Sequence, residues 1–339
     1  IIAIQQLTVN NIKMKGNIFF ITAVASLGGL LFGYDTAVIS GAVSAMEDYF
    51  LFSLEGNATE AAVAVFQFKI TLTVCVAFIL ILFSSFLLKF FSRTKAYLLI
   101  ASIVVIGGII YYNQFLSLPN VLSENLRNSI LGFMVSSALV GCIIGASLGD
   151  NIANSIGRRN GLLLSSLLFV ISACGSAYPD GISFLHLDTL TLFIIYRIIG
   201  GIGVGVASML APLYIAEMAP AKIRGKLVSC NQFAIVTGML VVYFVNYFIV
   251  KGQPLEWINT YGWRYMFLSE TIPAILFFLF LIFVPKTPRF QVMKGNENEA
   301  VKVLEDLNKS SEVPKILADI KASFKVKKAP WLSYGWAVV

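Results

Sequence analysis

The amino-acid sequence predicts an all-α protein that crosses a membrane several times. Three observations support this fold class: 58% of the 339 residues are hydrophobic, only 13% are charged, and the hydrophobic residues form long runs. Soluble domains carry about 45–50% apolar and about 25% charged residues, so a water-soluble fold of this length could not bury so much apolar surface. The same composition excludes a disordered chain.

The rarer residues exclude several classes of protein. The four cysteines lie in apolar runs without a Cys-x-x-Cys pair, and His186 is the only histidine. These residues predict no disulfide scaffold, no zinc site and no Ser-His or Cys-His nucleophile pair. We therefore expect no metal, no cofactor and no enzymatic activity. The net charge of +7 is modest, and we expect no nucleic-acid partner.

Eight runs are long and apolar enough to be membrane-spanning helices. Such a helix needs about 20 mainly apolar residues, because it rises about 1.5 Å per residue across about 30 Å of hydrocarbon. The runs cover residues 16–46, 70–88, 96–112, 128–149, 160–179, 189–215, 227–250 and 265–284. A ninth run at 331–339 ends with the sequence and indicates the start of a further span.

The distribution of Lys and Arg predicts the orientation of these spans. Most of the 25 basic residues fall in alternate loops, beginning with Lys13 and Lys15, whereas acidic residues such as Glu47 and Asp188 mark the loops between them. Loops rich in Lys and Arg stay in the cytoplasm. The sequence thus predicts a multi-pass protein of the cell (inner or plasma) membrane whose amino end is cytoplasmic.

Two segments outside the spans differ in composition. Residues 1–15 are polar and are treated as a leader outside the fold, so the transmembrane bundle is expected at 16–284. Residues 285–329 are charged and predict two amphipathic helices, one opened by a capping box of Asn296 and Glu299 and one by Pro314. Their apolar faces indicate either a contact with the ends of the spans or a solvated linker.

Two charged residues inside predicted spans are the sharpest functional signal. Asp35 lies 12 residues from Glu47, about 18 Å along a helix, and Arg197 lies 9 residues from Asp188, about 13 Å. Their similar depth predicts an ion pair between the first and sixth spans. Because charged side chains are costly inside a bilayer, such a pair is either a static contact that orients two helices or a contact that protonation of Asp35 breaks.

Glycines recur four residues apart in three spans, which is typical of helices that approach closely. These small residues are Gly29, Gly33, Ala37 and Gly41 in the first span, Gly141, Gly145 and Gly149 in the fourth, and Gly201 and Gly205 in the sixth.

Other polar and aromatic residues in the spans have two interpretations. Asn231 and Gln232 could bind a hydroxyl-rich solute beside the ring of Phe32, or could form amide hydrogen bonds between helices. Glu270 lies near the outer end of its predicted span, which indicates a structural role.

Several segments, in order, resemble the sugar-porter branch of the major facilitator superfamily. They are GGLLFGYDTAVISG at 28–41, the Gly157-Arg158-Arg159 turn, YRIIGG at 196–201, PLYIAE at 212–217 and IRGK at 223–226. The resemblance implies the amino-terminal six-helix half of a twelve-helix transporter, with a two-helix hairpin inserted at 60–118. Residues 285–329 would then be a cytoplasmic helical linker, and 330–339 the start of the next span.

The resemblance also implies roles for individual residues. Asp35 would be the proton-coupling carboxylate and Arg197 its partner, while Gln232 would bind the sugar and Phe32 would line its pocket. The family assigns a cytoplasmic gate to the positions of Arg158, Arg159, Glu217, Arg224 and Arg289.

The chain departs from the family pattern at two gate positions. Ser155 stands where the family has Arg before the Gly-Arg-Arg turn, so one cation is missing. Lys286 stands where the family has Glu in the Pro-Glu-Ser/Thr-Pro-Arg segment, which reverses a charge.

The expected function is symport of a proton with a sugar, a xylose-like pentose or a hexose, by alternating access. The partners would be the sugar, the proton, the lipid bilayer and a carboxyl-terminal half that lies outside this sequence. One alternative is a facilitator for sugars or polyols in which Asp35 and Arg197 never titrate. Another is a sugar sensor or an inactive half that does not transport.

Overall fold

The computed structural model describes residues 2–54, 57–90, 93–117, 119–181 and 187–325, and these residues form helices and no strand. Side chains are described from Ile18 onward, apart from several near the gaps at 55–56 and 91–92 and those of residues 114 and 325. The α-helices are α1 (Ile2–Val38), α2 (Val43–Phe50), α3 (Ala58–Phe90), α4 (Arg93–Tyr111), α5 (Glu124–Ser155), α6 (Arg158–Ala177), α7 (Thr189–Met218), α8 (Arg224–Val250), α9 (Leu255–Trp257), α10 (Trp263–Ser269), α11 (Thr271–Phe283), α12 (Pro288–Met293), α13 (Glu297–Leu307) and α14 (Val313–Lys325).

Seven helices in the described part of the chain are long and apolar enough to cross a membrane, against the eight that the sequence predicts. The difference is the predicted span at 96–112, whose apolar helix Tyr97–Tyr111 is shorter than a full crossing. The predicted start of a further span at 331–339 lies outside the described residues.

Two predicted spans have different boundaries in the structure. The first does not continue to residue 46: α1 ends at Val38, a 3₁₀ turn covers Ile39–Gly41, and α2 follows. The side-chain amide of Asn246 donates to the carbonyl oxygen of Val38 at 3.1 Å and so satisfies the backbone where the helix ends. The last span begins at Leu255 rather than at residue 265.

Helix α7 lies at the centre of the bundle and packs against α1, α5, α6 and α8. A Cβ atom at Gly201 would lie 2.0 Å from the carbonyl oxygen of Ala138 on α5, and one at Gly33 would lie 1.9 Å from the carbonyl oxygen of Ile235 on α8. Only glycine permits such close backbone contact. The predicted role of the glycines in helix packing is confirmed at these two positions.

Helices α3 and α4 pack against each other and meet the bundle near the start of α3. Buried side chains on α3 are concentrated there, at Ala61, Ala64, Val65 and Phe68, and α3 contacts α5 and α7. Nearly all described side chains of α4 are exposed, and most of them are apolar.

The segment after α11 folds against the ends of the spans rather than forming a solvated linker. Ala300, Leu304 and Leu307 of α13 are buried, and α13 contacts α1. The predicted capping box is wrong: the side chain of Asn296 does not cap α13 and instead donates to the Gln291 side chain at 3.3 Å. Thr287 caps α12 by accepting from the backbone N–H of Phe290 at 3.3 Å.

Candidate functional site

Asp35 of α1 and Arg197 of α7 lie in contact at the centre of the bundle. Arg197 Nη1 donates to Asp35 Oδ1, and Arg197 Nη2 lies 3.4 Å from the backbone oxygen of Asp35. Each residue is about 1% exposed, so the ion pair is shielded from water and its charges are poorly screened. Asp188 fixes the start of α7 by accepting from the N–H of Leu190 at 3.1 Å.

Glu270, between α10 and α11, is the third charged residue of this cluster. It is 1% exposed, it interacts electrostatically with both Asp35 and Arg197, and its two carboxylate oxygens are buried without a hydrogen-bond donor among the described residues. Two carboxylates beside one guanidinium carry a net charge of −1 when both are ionised. With one proton on either carboxylate, the cluster is neutral.

Aromatic and hydroxyl groups surround the three charges. The guanidinium of Arg197 lies 5.3 Å from the ring centre of Phe267. Tyr34 Oη and Ser269 Oγ are 2.7 Å apart, which joins the residues that precede Asp35 and Glu270 in sequence. These groups therefore line the contact between α1, α7 and α10.

The sequence predicts a structural role for Glu270 because the predicted span starts too late. With a start at residue 265, Glu270 is near the outer end; with the observed start at Leu255, it is near the middle of a 29-residue span. Glu256 and Arg264 interrupt the apolar run and hide its true beginning. The charge of Glu270 in an apolar run is visible in the sequence, but its depth follows only from the observed start of the span at Leu255.

The two predicted sugar-binding residues lie on neighbouring helices. Phe32 is half-buried on α1, and Gln232 is exposed on α8, where its side chain makes no hydrogen bond to the described residues. The adjacent Asn231 is buried and packs against Gly29 of α1. Asn231 therefore belongs to the helix contact, whereas the side chain of Gln232 lies exposed on α8.

The predicted gate residues lie near one end of the bundle, formed by the turns after α5 and after α7. We call this end the basic end. Arg158 and Glu217 form an ion pair there, with Arg158 Nη2 2.9 Å from Glu217 Oε1, and both side chains are buried. Arg158 Nη1 also donates to the backbone oxygen of Ala153 at 3.0 Å. This contact fastens the start of α6 to the end of α7.

The other three gate residues do not join this ion pair. Arg159 donates to the carbonyl oxygens of Leu281 and Ile282 at 2.9 and 2.8 Å, at the end of α11. Arg224 lies 3.5 Å from the carbonyl oxygen of Ala219, and the guanidinium of Arg289 lies 5.6 Å from the ring centre of Phe324. Among the described residues, the expected five-member network is thus reduced to one pair.

A second Asp–Arg pair lies at the acidic end, where α2, residues 179–181 and the start of α7 are found. Arg264 donates to Asp180 at 2.8 Å and to Tyr49 Oη at 2.8 Å. Burial raises the pKa of Asp180, but hydrogen bonds and the charge of Arg264 outweigh it, so the pKa lies below its ordinary value. Burial raises the pKa of Asp188, and backbone N–H groups only partly offset the rise.

A family model described as "Sugar (and other) transporter" matches residues 21–117 and 111–336. The chain is 42% identical over 316 residues to the D-xylose-proton symporter of Escherichia coli strain K12, and the match covers 90% of this chain and 51% of the relative. It is 38% identical over 206 residues to the glucose facilitated diffusion protein of Zymomonas mobilis, which covers 61% of this chain and 44% of the relative.

The fold is also similar to that of a solved transporter. The match to a partially occluded, inward-open conformation of the xylose transporter from E. coli has a TM-score of 0.68 and 40% identity, covering 95% of this chain and 61% of that one. The chain therefore spans about half the length of the curated relatives it matches.

Proposed function

The chain belongs to the sugar transporter family of the major facilitator superfamily, and on that premise we propose that it is the amino-terminal part of a sugar–proton symporter. The cargo would be a pentose or hexose of the xylose type. The Lys and Arg pattern supports a cell-membrane location with the amino end in the cytoplasm. We also propose that residues 60–118, which contain α3 and α4, are an insertion after the first family span.

The cluster of Asp35, Arg197 and Glu270 is the observation that carries this proposal. Facilitated transport of a neutral sugar, without a coupled proton, needs no buried charge. Placing a charged side chain in a bilayer costs at least about 2.5 kcal/mol. A proton that binds the cluster removes its net charge and weakens the hold of Arg197 on Asp35. Contacts between α1 and α7 then loosen, so proton binding changes the relative stability of two conformations.

Sugar binding is proposed on the surface formed by α1 and α8. Phe32 offers an aromatic face, and the exposed amide of Gln232 offers both a donor and an acceptor for hydroxyl groups. Phe32 lies near the middle of its span, where alternating-access transporters bind their substrates, and Gln232 lies in the first half of α8. A carboxyl-terminal half outside this sequence would supply the facing wall.

The basic end is proposed to hold one conformation closed. The Arg158–Glu217 pair and the bond from Arg159 to the end of α11 fasten α6, α7 and α11 together. Arg224 and Arg289, which have no ion pair among the described residues, would meet acidic groups of the carboxyl-terminal half.

The test replaces Asp35 by Asn in a transporter that contains this chain and its carboxyl-terminal half. In vesicles with an imposed pH gradient, Asp35→Asn should abolish accumulation of xylose while exchange of labelled for unlabelled xylose continues. The matched control is Asp180→Asn, which also removes the acid of an Asp–Arg pair but lies at the acidic end. Accumulation should persist in Asp180→Asn, and unchanged accumulation in Asp35→Asn would overturn the proposal.

Facilitated diffusion is the second candidate, because the Zymomonas relative bears that name and because the Asp35–Arg197 pair is fully formed. The same vesicles separate the two functions. A facilitator would bring internal and external sugar to equal concentration whatever the pH gradient.

A further inference from the structure

A cavity lies between α3 and the segment that links α4 to α5, away from the cluster at the bundle centre. Its volume is about 490 Å³, and it is lined by five apolar side chains and by Lys69, Thr73 and Asn120. No carboxylate belongs to the described residues that line it. The cavity therefore combines one positive charge with a wide apolar wall.

Lys69 is held in this cavity although it is a cation. It is only 4% exposed, and its Nζ donates to Asn120 Oδ1 at 3.0 Å. The ammonium group also lies 5.9 Å from the ring centre of Phe115. These contacts fix the charge in place, so an anion that enters the cavity meets a positioned donor rather than a mobile surface lysine.

The cavity lies at one end of the uncharged run on α3. The apolar helix covers Ala58–Ser85, but its uncharged part begins after Lys69: residues 70–88 span about 28 Å as a helix, close to the hydrocarbon thickness, which fits Lys69 at the level of the lipid headgroups. Thr73 Oγ1 and Tyr111 Oη are 2.9 Å apart, and Tyr111 ends α4. Tyrosine is typical of the membrane interface, which supports the same level.

The apolar wall continues from Lys69 toward the hydrocarbon. Ile70 and Val74 line the cavity and are 48% and 62% exposed. A small soluble anion would gain nothing from this wall, whereas an acyl chain would bury it. The charge and the wall together fit a molecule with an anionic head and an apolar tail.

We propose that this cavity binds one anionic phospholipid, with its phosphate on Lys69 and an acyl chain along Ile70 and Val74. Asn120 and Thr73 would add hydrogen bonds to the headgroup. Because the hairpin of α3 and α4 meets the bundle mainly near the start of α3, the lipid would stabilise the position of the hairpin. This site is independent of the proposed transport activity.

The test counts lipids bound to the purified chain in detergent by native mass spectrometry. With phosphatidylglycerol as the probe, the unchanged chain should bind one copy more tightly than it binds phosphatidylcholine. Lys69→Gln should weaken that binding about tenfold, as expected for loss of one charge-assisted contact. Lys69→Arg keeps the charge and should retain most of the phosphatidylglycerol binding.

The matched control is Lys251→Gln at the exposed end of α8, which should leave the tight site unchanged. Melting temperature in lipid-free detergent shows whether each variant folds. Equal phosphatidylglycerol binding by Lys69→Gln and by the unchanged chain would overturn the proposal. Displacement of the lipid by glycerol phosphate at comparable concentration would also overturn it, because the ligand would then be a soluble phosphate ester.

Discussion

Removal of the two carboxylates from the central cluster should have non-additive effects on stability. When one proton is shared, Asp35, Arg197 and Glu270 carry no net charge. In Asp35→Asn, Glu270 can lose its proton and become the counter-ion of Arg197. In the double variant with Glu270→Gln, Arg197 has no carboxylate beside it, although it remains 1% exposed.

The burial of these residues sets the expected magnitudes. A buried ion without an oppositely charged partner lowers the free energy of unfolding by about 3–5 kcal/mol, and we expect this loss for the double variant. Asp35→Asn alone should cost about 1–2 kcal/mol, because one charged hydrogen bond is replaced. Glu270→Gln alone should cost less than about 1 kcal/mol, since it resembles the protonated acid. The interaction energy is then about 2 kcal/mol.

The free energy of unfolding of the four proteins in one detergent at neutral pH measures this interaction. Glu270→Gln combined with Asp180→Asn is the control, because those sites have no shared partner and their effects should add. Additivity within about 0.5 kcal/mol in the Asp35 and Glu270 cycle would refute the role of Glu270 as a second counter-ion.

Two further predictions concern helix packing and pH. Gly201→Ala should destabilise the chain by about 1–3 kcal/mol, because its Cβ would lie 2.0 Å from the backbone oxygen of Ala138; Gly107→Ala, with nothing within 4 Å, should be neutral or stabilising in the same unfolding assay. The lowered pKa of Asp180 beside Arg264 means that this pair stabilises the fold above about pH 4 and that the stabilisation is lost as the pH falls through the folded-state pKa. Asp180→Asn should therefore make the melting temperature less dependent on pH in the acid range. An unchanged dependence on pH would show that the Asp180–Arg264 pair does not stabilise the fold.

The contact between α1 and α7 could be predicted because both signals in it are strong. A charge in a long apolar run is rare, and counting residues from the acidic loops gives its depth. The structure places Asp35 and Arg197 in contact, as that depth predicts. The glycine spacing likewise predicted the close backbone approach at Gly33 and Gly201.

Other features depend on tertiary contacts that the sequence does not display. The end of α1 at Val38 is stabilised by Asn246, which is 208 residues away in sequence. The sequence does not reveal the early start of the last span, because Arg264 is charged. In the structure this residue is buried, and it donates hydrogen bonds to Asp180 and Tyr49. Asn296 has the residue type and spacing of a cap, but its side chain bonds to Gln291 instead.

The predicted gate residues make different kinds of contact in the structure. Arg158 and Glu217 pair across the basic end, whereas Arg159 binds the carbonyl oxygens that end α11. Helix ends with unpaired carbonyls attract any nearby guanidinium, and sequence position does not reveal which helix end will be close.

Proton movement during sugar entry tests the central claim most directly. A transporter containing this chain, in vesicles suspended in weakly buffered medium, should make the external pH rise when xylose is added outside, with about one proton taken up per sugar, since the proposed role of the Asp35, Arg197 and Glu270 cluster is to bind one proton. Entry of labelled xylose at the same rate with no change in external pH would contradict proton coupling at Asp35.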